Sequence, residues 1–185
     1  NCFSICKAFR NEPSSDHHAP EFTILEWYEL EKNYKNIMET TQNLIQTLSQ
    51  TLSNSSTITY QKQKIDLSSP WPKISLQKAF QEFANLDLSQ NLNLKSIKKT
   101  AKNKGYSVEN EKEWEPIYNQ IFLNEVEPGI FKKYQGKPVI LYDYPTALSL
   151  LCKPLGNGFS ERFEFYIAGL ELGDCYTELT DPKIQ

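Results

Sequence analysis

Arginine is scarce in this chain of 185 residues. Lysine and arginine together number 20, but only Arg10 and Arg162 are arginines, so eighteen of these cations are lysines. A guanidinium makes the planar, two-pronged contact that phosphate and carboxylate groups favour, and a lysine ammonium does not. We therefore interpret Arg10 as a candidate anion-binding residue, and Arg162 as a member of an ordinary ion pair.

Several other features are missing, and each absence excludes a class of protein. The sequence has no apolar run of membrane-spanning length and no visible signal peptide. Its four cysteines form no CxxC pair, and Cys2 and Cys6 on one extended strand are separated by about 13 Å, too far for a disulfide. The adjacent His17 and His18 alone are a poor zinc signal. These absences favour a cytoplasmic protein with free thiols, and a net charge of −3 does not by itself indicate a nucleic-acid surface.

The patterning predicts an α+β fold with hairpin strands at both ends and helices between them. Residues 2–9 and 21–29 have strand composition, and the segment between them is rich in loop formers. Residues 138–144 form a continuous apolar run suited to the inside of a sheet. The length corresponds to one domain, and both termini look cut, so we expect a fragment or a truncated protein.

The middle of the chain is predicted to be mainly helical. Apolar spacing indicates helices over residues 34–52 and 94–104, with Gly105 ending the second. Ser75 is a candidate N-cap, and Asn110 with Glu113 resembles a capping box. Five lysines crowd the second helix, and we favour a solvated face over contact with an acidic partner such as a protein or tRNA. They are Lys95, Lys98, Lys99, Lys102 and Lys104.

Carboxylates in apolar surroundings are the main chemical signal. Glu26 shares one strand face with Phe22 and Tyr28, so it needs a partner, and a cation or bound ligand is one candidate. Three further glutamates follow at intervals of seven, namely Glu164, Glu171 and Glu178. Magnesium and a substrate ammonium are natural occupants of such a group. The alternative is that lysines and backbone amides satisfy these carboxylates.

Two blocks of sequence resemble a known family. The first is FRNE at 9–12 with HAPEFT at 18–23 and LEWY at 25–28, and the second is ERFEFY at 161–166 with GLEL at 169–172 and ELTD at 178–181. The first is similar to motif 2 of class II aminoacyl-tRNA synthetases in its lysine-specific form, and the second to the amino-acid-binding segment. The LEWY ending most resembles the synthetase paralogues that attach lysine to elongation factor P. Weaker similarity lies at 126–128 and 144–145.

The resemblance implies a nucleotide site at the start of the chain. Arg10 would hold the α-phosphate of ATP and stabilise charge during attack by the substrate carboxylate, which makes it the catalytic candidate. Glu12 and His18 would contact adenine and phosphates, and adenine would stack on Phe22.

The resemblance also implies a site for magnesium and the amino acid. Glu164 and Glu171 would hold Mg²⁺, and Tyr28 and Glu178 would recognise the side-chain ammonium of lysine or β-lysine. Glu26 would line the same pocket. The implied reaction is adenylation of lysine and transfer to a lysine of elongation factor P, with a tRNA acceptor as the close alternative.

The resemblance has departures that weaken a simple transfer of function. Asp16 and His17 replace a loop arginine, and Asp174 replaces an asparagine, so it would repel the substrate carboxylate. Gly173 is typical of the synthetases rather than the protein-modifying ligases. Motif 1, which makes the dimer, and motif 3 are not recognised.

The resemblance therefore predicts an incomplete class II catalytic domain, an antiparallel sheet flanked by helices. Its parts would be a motif 2 hairpin over 1–30, a helical middle over 31–135, and strands with the amino-acid-binding segment over 136–185. We expect a homodimer for an intact protein and little activity from this chain alone. A truncated paralogue that only binds a ligand or partner is the other reading.

Overall fold

The chain opens with a long antiparallel hairpin, as predicted. In a computed structural model that describes residues 1–11, 13–14, 18–68 and 70–184, strand β1 spans Cys2–Phe9 and β2 spans Glu21–Tyr28. Cys2 lies opposite Tyr28, and Phe9 lies opposite Glu21. The β-branched and aromatic residues of both segments favour this pairing.

The remaining elements alternate between helices and short strands. The helices are α1 (Tyr34–Ser53), α2 (Leu76–Ala84), α3 (Leu94–Asn103), α4 (Trp114–Ile121) and α5 (Glu127–Lys133), and a π-helical turn, Phe122–Val126, joins the last two. The strands are β3 (Thr57–Tyr60), β4 (Gln63–Asp66), β5 (Lys73–Ser75), β6 (Val139–Pro145), β7 (Phe159–Ile167) and β8 (Leu170–Tyr176). The middle region therefore contains a hairpin, β3–β4, and strand β5 in addition to the predicted helices.

The main sheet is mixed rather than wholly antiparallel. Its four strands lie in the order β5-β6-β7-β8, and β6, β7 and β8 pair antiparallel. Strand β5 pairs parallel to β6, with Ile74 opposite Leu141. A parallel pair needs a long crossover connection, and helices α2 to α5 provide it between these two strands.

Apolar side chains are buried on both faces of the sheet. Along β6, Val139 and Leu141 belong to the cluster covered by α2 to α5, whereas Ile140 belongs to the cluster covered by α1 and the β3–β4 segment. All three are almost completely buried. The continuous apolar run at 138–144 is thus an interior strand, as its composition predicts.

Most predicted helix boundaries agree with the structure, with one exception. The Ser75 side chain accepts a hydrogen bond from Lys78 N at the start of α2, and Gly105 follows α3 with a positive φ of +90°. The predicted capping box at Asn110 and Glu113 is wrong, because Glu113 itself is the N-cap of α4 and makes no side-chain capping bond. Trp114 fixes this start by donating its indole N–H to Asn91 O at 2.7 Å.

The lysines of α3 make contacts within the chain. The Lys98 ammonium donates to Glu109 O and Glu111 O, and Lys104 donates to Ala84 O and pairs with Glu125 at 2.9 Å. Two members of the predicted solvated face therefore hold neighbouring segments together. Among the residues with described positions, no helix has the length and hydrophobicity to cross a membrane.

Helix α1 is held at its first turn, which also anchors the end of the chain. Asn33 forms a capping box with Asn36, and Tyr34 N donates to Thr177 Oγ1 at 2.9 Å. The Tyr34 hydroxyl donates to Asp143 Oδ1 at 2.7 Å. These bonds fix the segment that carries Glu178 against β6 and α1.

We predict that Asn33→Ala lowers the free energy of unfolding by about 1 kcal/mol, because it removes acceptors for two backbone amides. Glu113→Ala at the N-cap of α4 is the matched control and should change stability by less than about half of that, because its side chain makes no capping bond. Urea unfolding of both variants followed by circular dichroism measures the difference. Equal losses in the two variants would contradict the assignment of the Asn33 cap.

Candidate functional site

A buried carboxylate lies where β6, β7 and the helical layer meet. Glu164 is only 7% exposed, and its Oε2 accepts hydrogen bonds from Tyr144 and Tyr166, each at 2.6 Å. Its Oε1 accepts from Arg162 at 2.8 Å. Burial, followed by the charge of Glu164, raises the pKa of both tyrosines well above the ordinary value. Both phenols therefore stay protonated and can donate to the carboxylate.

Arg162 forms an ion pair within this network, as its interpretation from sequence predicts. It donates from Nη1 to Leu148 O at 2.7 Å, and its guanidinium carbon lies 4.9 Å from the centre of the Tyr144 ring. Its Nη2 also lies 3.6 Å from Asp174 Oδ2. Arg162 thus partly offsets the negative charge of Asp174, the residue expected to repel a substrate carboxylate.

A cavity of about 610 Å³ lies beside this network. It is an open cleft bordered by the α4–α5 helical run, the loop after β6, and strands β7 and β8. Aromatic rings and four carboxylates line it, together with the Arg162 guanidinium. The carboxylates belong to Glu115, Glu127, Glu164 and Glu171. Its size is typical of a small-molecule site.

Glu171 stands at the rim of the cavity on β8. Its side chain reaches solvent, yet partial burial raises its pKa to about 7, and the negative charge of Glu164 contributes further. Arg162 and Arg10 act in the opposite direction. Two of the three predicted glutamates, Glu164 and Glu171, therefore do converge. The charge of Arg10 in the hairpin acts on Glu171 as well, by lowering its pKa.

The third glutamate, Glu178, lies near Tyr28 at the end of β2. The charge of Glu178 is the largest cause of the raised pKa of Tyr28, and Glu26 also contributes. Burial raises the pKa of Tyr176, which lines the cavity, and the charges of Glu178 and Tyr28 contribute further. The predicted ammonium-binding residues thus meet although the first and last are far apart in the chain. Glu26 is exposed, so its carboxylate does not require the partner expected from its neighbours.

Arg10 and Phe22 are adjacent on one face of the hairpin. Arg10 N donates to Pro20 O, and its guanidinium carbon lies 5.3 Å from the centre of the Phe22 ring. Within the described ranges Arg10 makes no salt bridge, so its charge is available to an anion. The guanidinium covers the ring face, and a base stacking there would have to displace it.

The structure describes only part of the connection between β1 and β2. His18 is exposed in this connection. Glu12, the other predicted adenine contact, lies outside the described residues, as do Asp16 and His17.

Sequence reasoning missed Glu127 and the tyrosines that line the cavity. Glu127 begins α5 directly after the π-helical turn, and burial followed by the charge of Glu164 raises its pKa. The weak similarity at 126–128 and 144–145 was the available signal for Glu127 and Tyr144. Tyr118 of α4 belongs to the apolar core and also lines the cavity, and helical spacing does not distinguish a packed core from a cavity wall.

Comparison with known proteins identifies the family of this chain. The family model for tRNA synthetases class II (D, K and N) matches residues 1–185. The chain belongs to this family of class II tRNA synthetases. Lysine–tRNA ligases from Nostoc punctiforme and Buchnera aphidicola subsp. Cinara cedri are each 36% identical, over 97% and 99% of this chain respectively. That of Chloroflexus aurantiacus is 33% identical over 97% of the chain.

The chain spans about a third of the length of these curated relatives, with shares of 36%, 32% and 36%. The lysine-type resemblance of the two sequence blocks is therefore confirmed at the family level. The finer resemblance to ligases that modify elongation factor P is not reflected in these relatives, which are all lysine–tRNA ligases.

Magnesium is the ion that class II synthetases generally use, and protein donors already contact one member of the predicted pair, Glu164. Both oxygens of Glu164 are already engaged by Arg162, Tyr144 and Tyr166. In the described part of the chain, no three His, Cys, Asp or Glu side chains are grouped to hold a metal ion. We therefore derive no step through magnesium, and its binding by Glu164 and Glu171 stays a prediction.

We predict that Glu171 makes stability depend on pH. Because its pKa is about 7 in the folded chain against an ordinary value of 4.5, the folded state binds the proton more tightly. Stability should therefore fall as pH rises through this window. Glu171→Gln should abolish about 1 kcal/mol of that fall, a figure reduced for solvent screening.

Urea unfolding at about pH 5 and about pH 7.5 measures this difference. Glu39→Gln, an exposed carboxylate of α1, is the control and should retain the wild-type pH dependence. An identical pH dependence in Glu171→Gln and the wild type would contradict the raised pKa.

Proposed function

We propose that this chain contributes to an enzyme that activates lysine with ATP and transfers it to tRNA. The main support is that Tyr28 and Glu178, from opposite ends of the chain, meet within interaction range. The relatives are lysine–tRNA ligases, which is consistent with a lysine side chain as the ligand.

The carboxylate of Glu178 supplies the charge complement of the lysine ammonium. The Tyr28 phenol beside it provides an oxygen acceptor, and Glu26 adds negative charge nearby. A charge-assisted hydrogen bond to a carboxylate is about twice as strong as one between neutral groups. The cluster therefore favours a cationic side chain over a neutral one of the same length.

Arg10 supplies the positive charge for the phosphate side of the reaction. A carboxylate oxygen of lysine attacks the α-phosphorus of ATP, and the bond to the β-phosphate oxygen breaks as pyrophosphate leaves. Negative charge builds up on the α-phosphate oxygens during this step, and a guanidinium positioned there stabilises it. Phe22, adjacent to Arg10, is the ring on which the base would stack once the guanidinium moves from its face to the phosphate.

The acceptor is the point on which the family comparison changes our expectation. The sequence resemblance favours a lysine of elongation factor P, whereas the named relatives favour tRNA. Gly173, which lies against the Phe165 ring, agrees with the synthetase type. The proposal includes a homodimer for an intact protein and leaves the choice between lysine and β-lysine to be tested. The alternative is a paralogue that only binds a ligand or partner.

We predict that Arg10→Ala lowers lysine-dependent ATP–pyrophosphate exchange by about 100-fold or more, because the developing phosphate charge loses its guanidinium. The assay is run on this chain and on the complete gene product, with lysine and with β-lysine. Lys7→Ala is the matched control: Lys7 is a cation of β1 in an exposed pair with Glu21, and its loss should change exchange less than about twofold. Near-normal exchange in Arg10→Ala would refute the nucleotide site, and no exchange by either wild-type protein would support the binding-only paralogue.

We predict that the activated lysine goes to tRNA rather than to elongation factor P. The tRNA hydroxyl forms an ester as AMP leaves, whereas a protein lysine forms an amide, so only the tRNA product is released by mild alkali. Radiolabelled lysine offered with each acceptor in parallel separates the two. An alkali-stable label on elongation factor P, with none on tRNA, would reverse the assignment.

A further inference from the structure

A second cleft, with a volume of about 400 Å³, lies beside the turn that joins β7 and β8. The end of α5 with the loop after it, the start of β6, and Gln63 of β4 form the rest of its border. It shares only Tyr166 with the cavity beside Glu164. Its volume is within the range of small-molecule sites. We call it the basic cleft, because of the charges described next.

Positive charge distinguishes the basic cleft from the cavity beside Glu164. Lys132 and Lys137 line the cleft, and no carboxylate is among the described residues at its border. The side-chain amides of Gln63 and Gln135 add hydrogen-bond donors. The chain as a whole carries a net charge of −3, so this local excess of positive charge runs against its overall composition. An anion is the electrostatic complement of such a border.

The two lysines of the cleft are not neutralised by ion pairs. No salt bridge within the described ranges includes Lys132 or Lys137, whereas the adjacent Lys133 pairs with Glu82 at 2.7 Å. Hydrogen bonds lower the pKa of Asp66, and the charge of Lys137 contributes to this shift. Asp66 does not line the cleft. Both ammonium groups are therefore available to an anionic ligand.

Backbone turns fix the position of the loop that carries Lys137. Lys137 N donates to Tyr134 O and closes a turn that contains Gly136, whose φ is +78°. Glycine adopts such a φ at little cost. Gly136 O accepts a hydrogen bond from Asp66 N at 2.8 Å, which ties the turn to β4. A ligand therefore does not need to order this loop, and preorganisation of this kind favours binding.

Apolar side chains supply the remainder of the border. Phe131 packs against the Tyr166 ring, with 5.5 Å between the ring centres, and Ala168 packs against the core cluster under α1. Val139, at the start of β6, is almost completely buried. These residues line the cleft together. An organic group that covers them removes apolar surface from water, which is favourable.

We propose that the basic cleft binds a small phosphate monoester, with Lys132 and Lys137 as the contacts of the phosphate group. Such a phosphate carries a charge of about −1.5 to −2 at neutral pH, which two lysines match. Lysine binds phosphate as a point charge. The amides of Gln63 and Gln135 can donate to the remaining oxygens, and the organic group lies against Phe131. This site is separate from Arg10 and does not depend on the proposed activity.

The test is titration of the isotope-labelled chain, followed through its amide NMR signals. The probes are phenyl phosphate, its diester methyl phenyl phosphate, inorganic phosphate and benzylamine. We expect phenyl phosphate to bind most tightly, because the diester has less charge, inorganic phosphate lacks the ring, and the amine has the wrong sign. The signals of Gly136 and Gly169 should shift, whereas that of Gly156, which precedes β7, should not.

Four variants locate the bound phosphate. Lys132→Gln and Lys137→Gln should each weaken phenyl phosphate binding about fivefold, since each removes a charge-assisted contact. Lys133→Gln is the matched control, because it removes a cation from the same helix end that is already paired with Glu82. It should bind within about twofold of the wild type, as should Arg10→Ala at the proposed nucleotide site. Thermal unfolding checks that all four variants are folded.

Several results would overturn the proposal. One is unchanged affinity in both Lys132→Gln and Lys137→Gln, and another is an equally large loss in Lys133→Gln. Equal binding of the diester or of benzylamine would contradict recognition of a doubly charged phosphate. A loss confined to Arg10→Ala would assign the phosphate to the first hairpin instead.

Discussion

Burial of the Glu164 carboxylate is the constraint around which the functional half of the chain is arranged. A carboxylate inside a sheet needs several donors, and Tyr144, Tyr166 and Arg162 supply three from two adjacent strands. Because Arg162 also holds Leu148 O, the loop after β6 is tied to β7. The same loop forms one wall of the cavity, so Arg162 links that wall to the buried carboxylate.

The two sites differ in how the chain assembles them. The cluster of Tyr28 and Glu178 joins the end of the first hairpin to the segment after β8. The capped first turn of α1 positions that segment through the hydrogen bond from Tyr34 N to Thr177. The cavity is instead built between the sheet and one continuous helical run with a π turn. Both have negative character, and the charge of Arg10 acts on Glu171 of the cavity.

Much of the fold and part of the site were predictable, because they depend on local pattern. The hairpin at 2–28, helix α1 and interior strand β6 follow from strand composition and apolar spacing. The short hairpin β3–β4 was missed because its polar, turn-rich residues resemble a loop, and the parallel pairing of β5 depends on a distant strand. Asn110 was assigned to the wrong turn because a capping pattern in sequence does not show where the helix begins.

The sequence by itself determined the family, through two blocks that resemble motif 2 and the amino-acid-binding segment of class II synthetases. It also determined that Arg10, Glu164, Glu171 and Glu178 are the charged groups to examine. Tertiary structure alone decided that Glu164 accepts hydrogen bonds from Tyr144, Tyr166 and Arg162, and that Glu127 shares the cavity. Those partners come from separate elements, and charge interactions depend on distance in space and burial rather than on position along the chain.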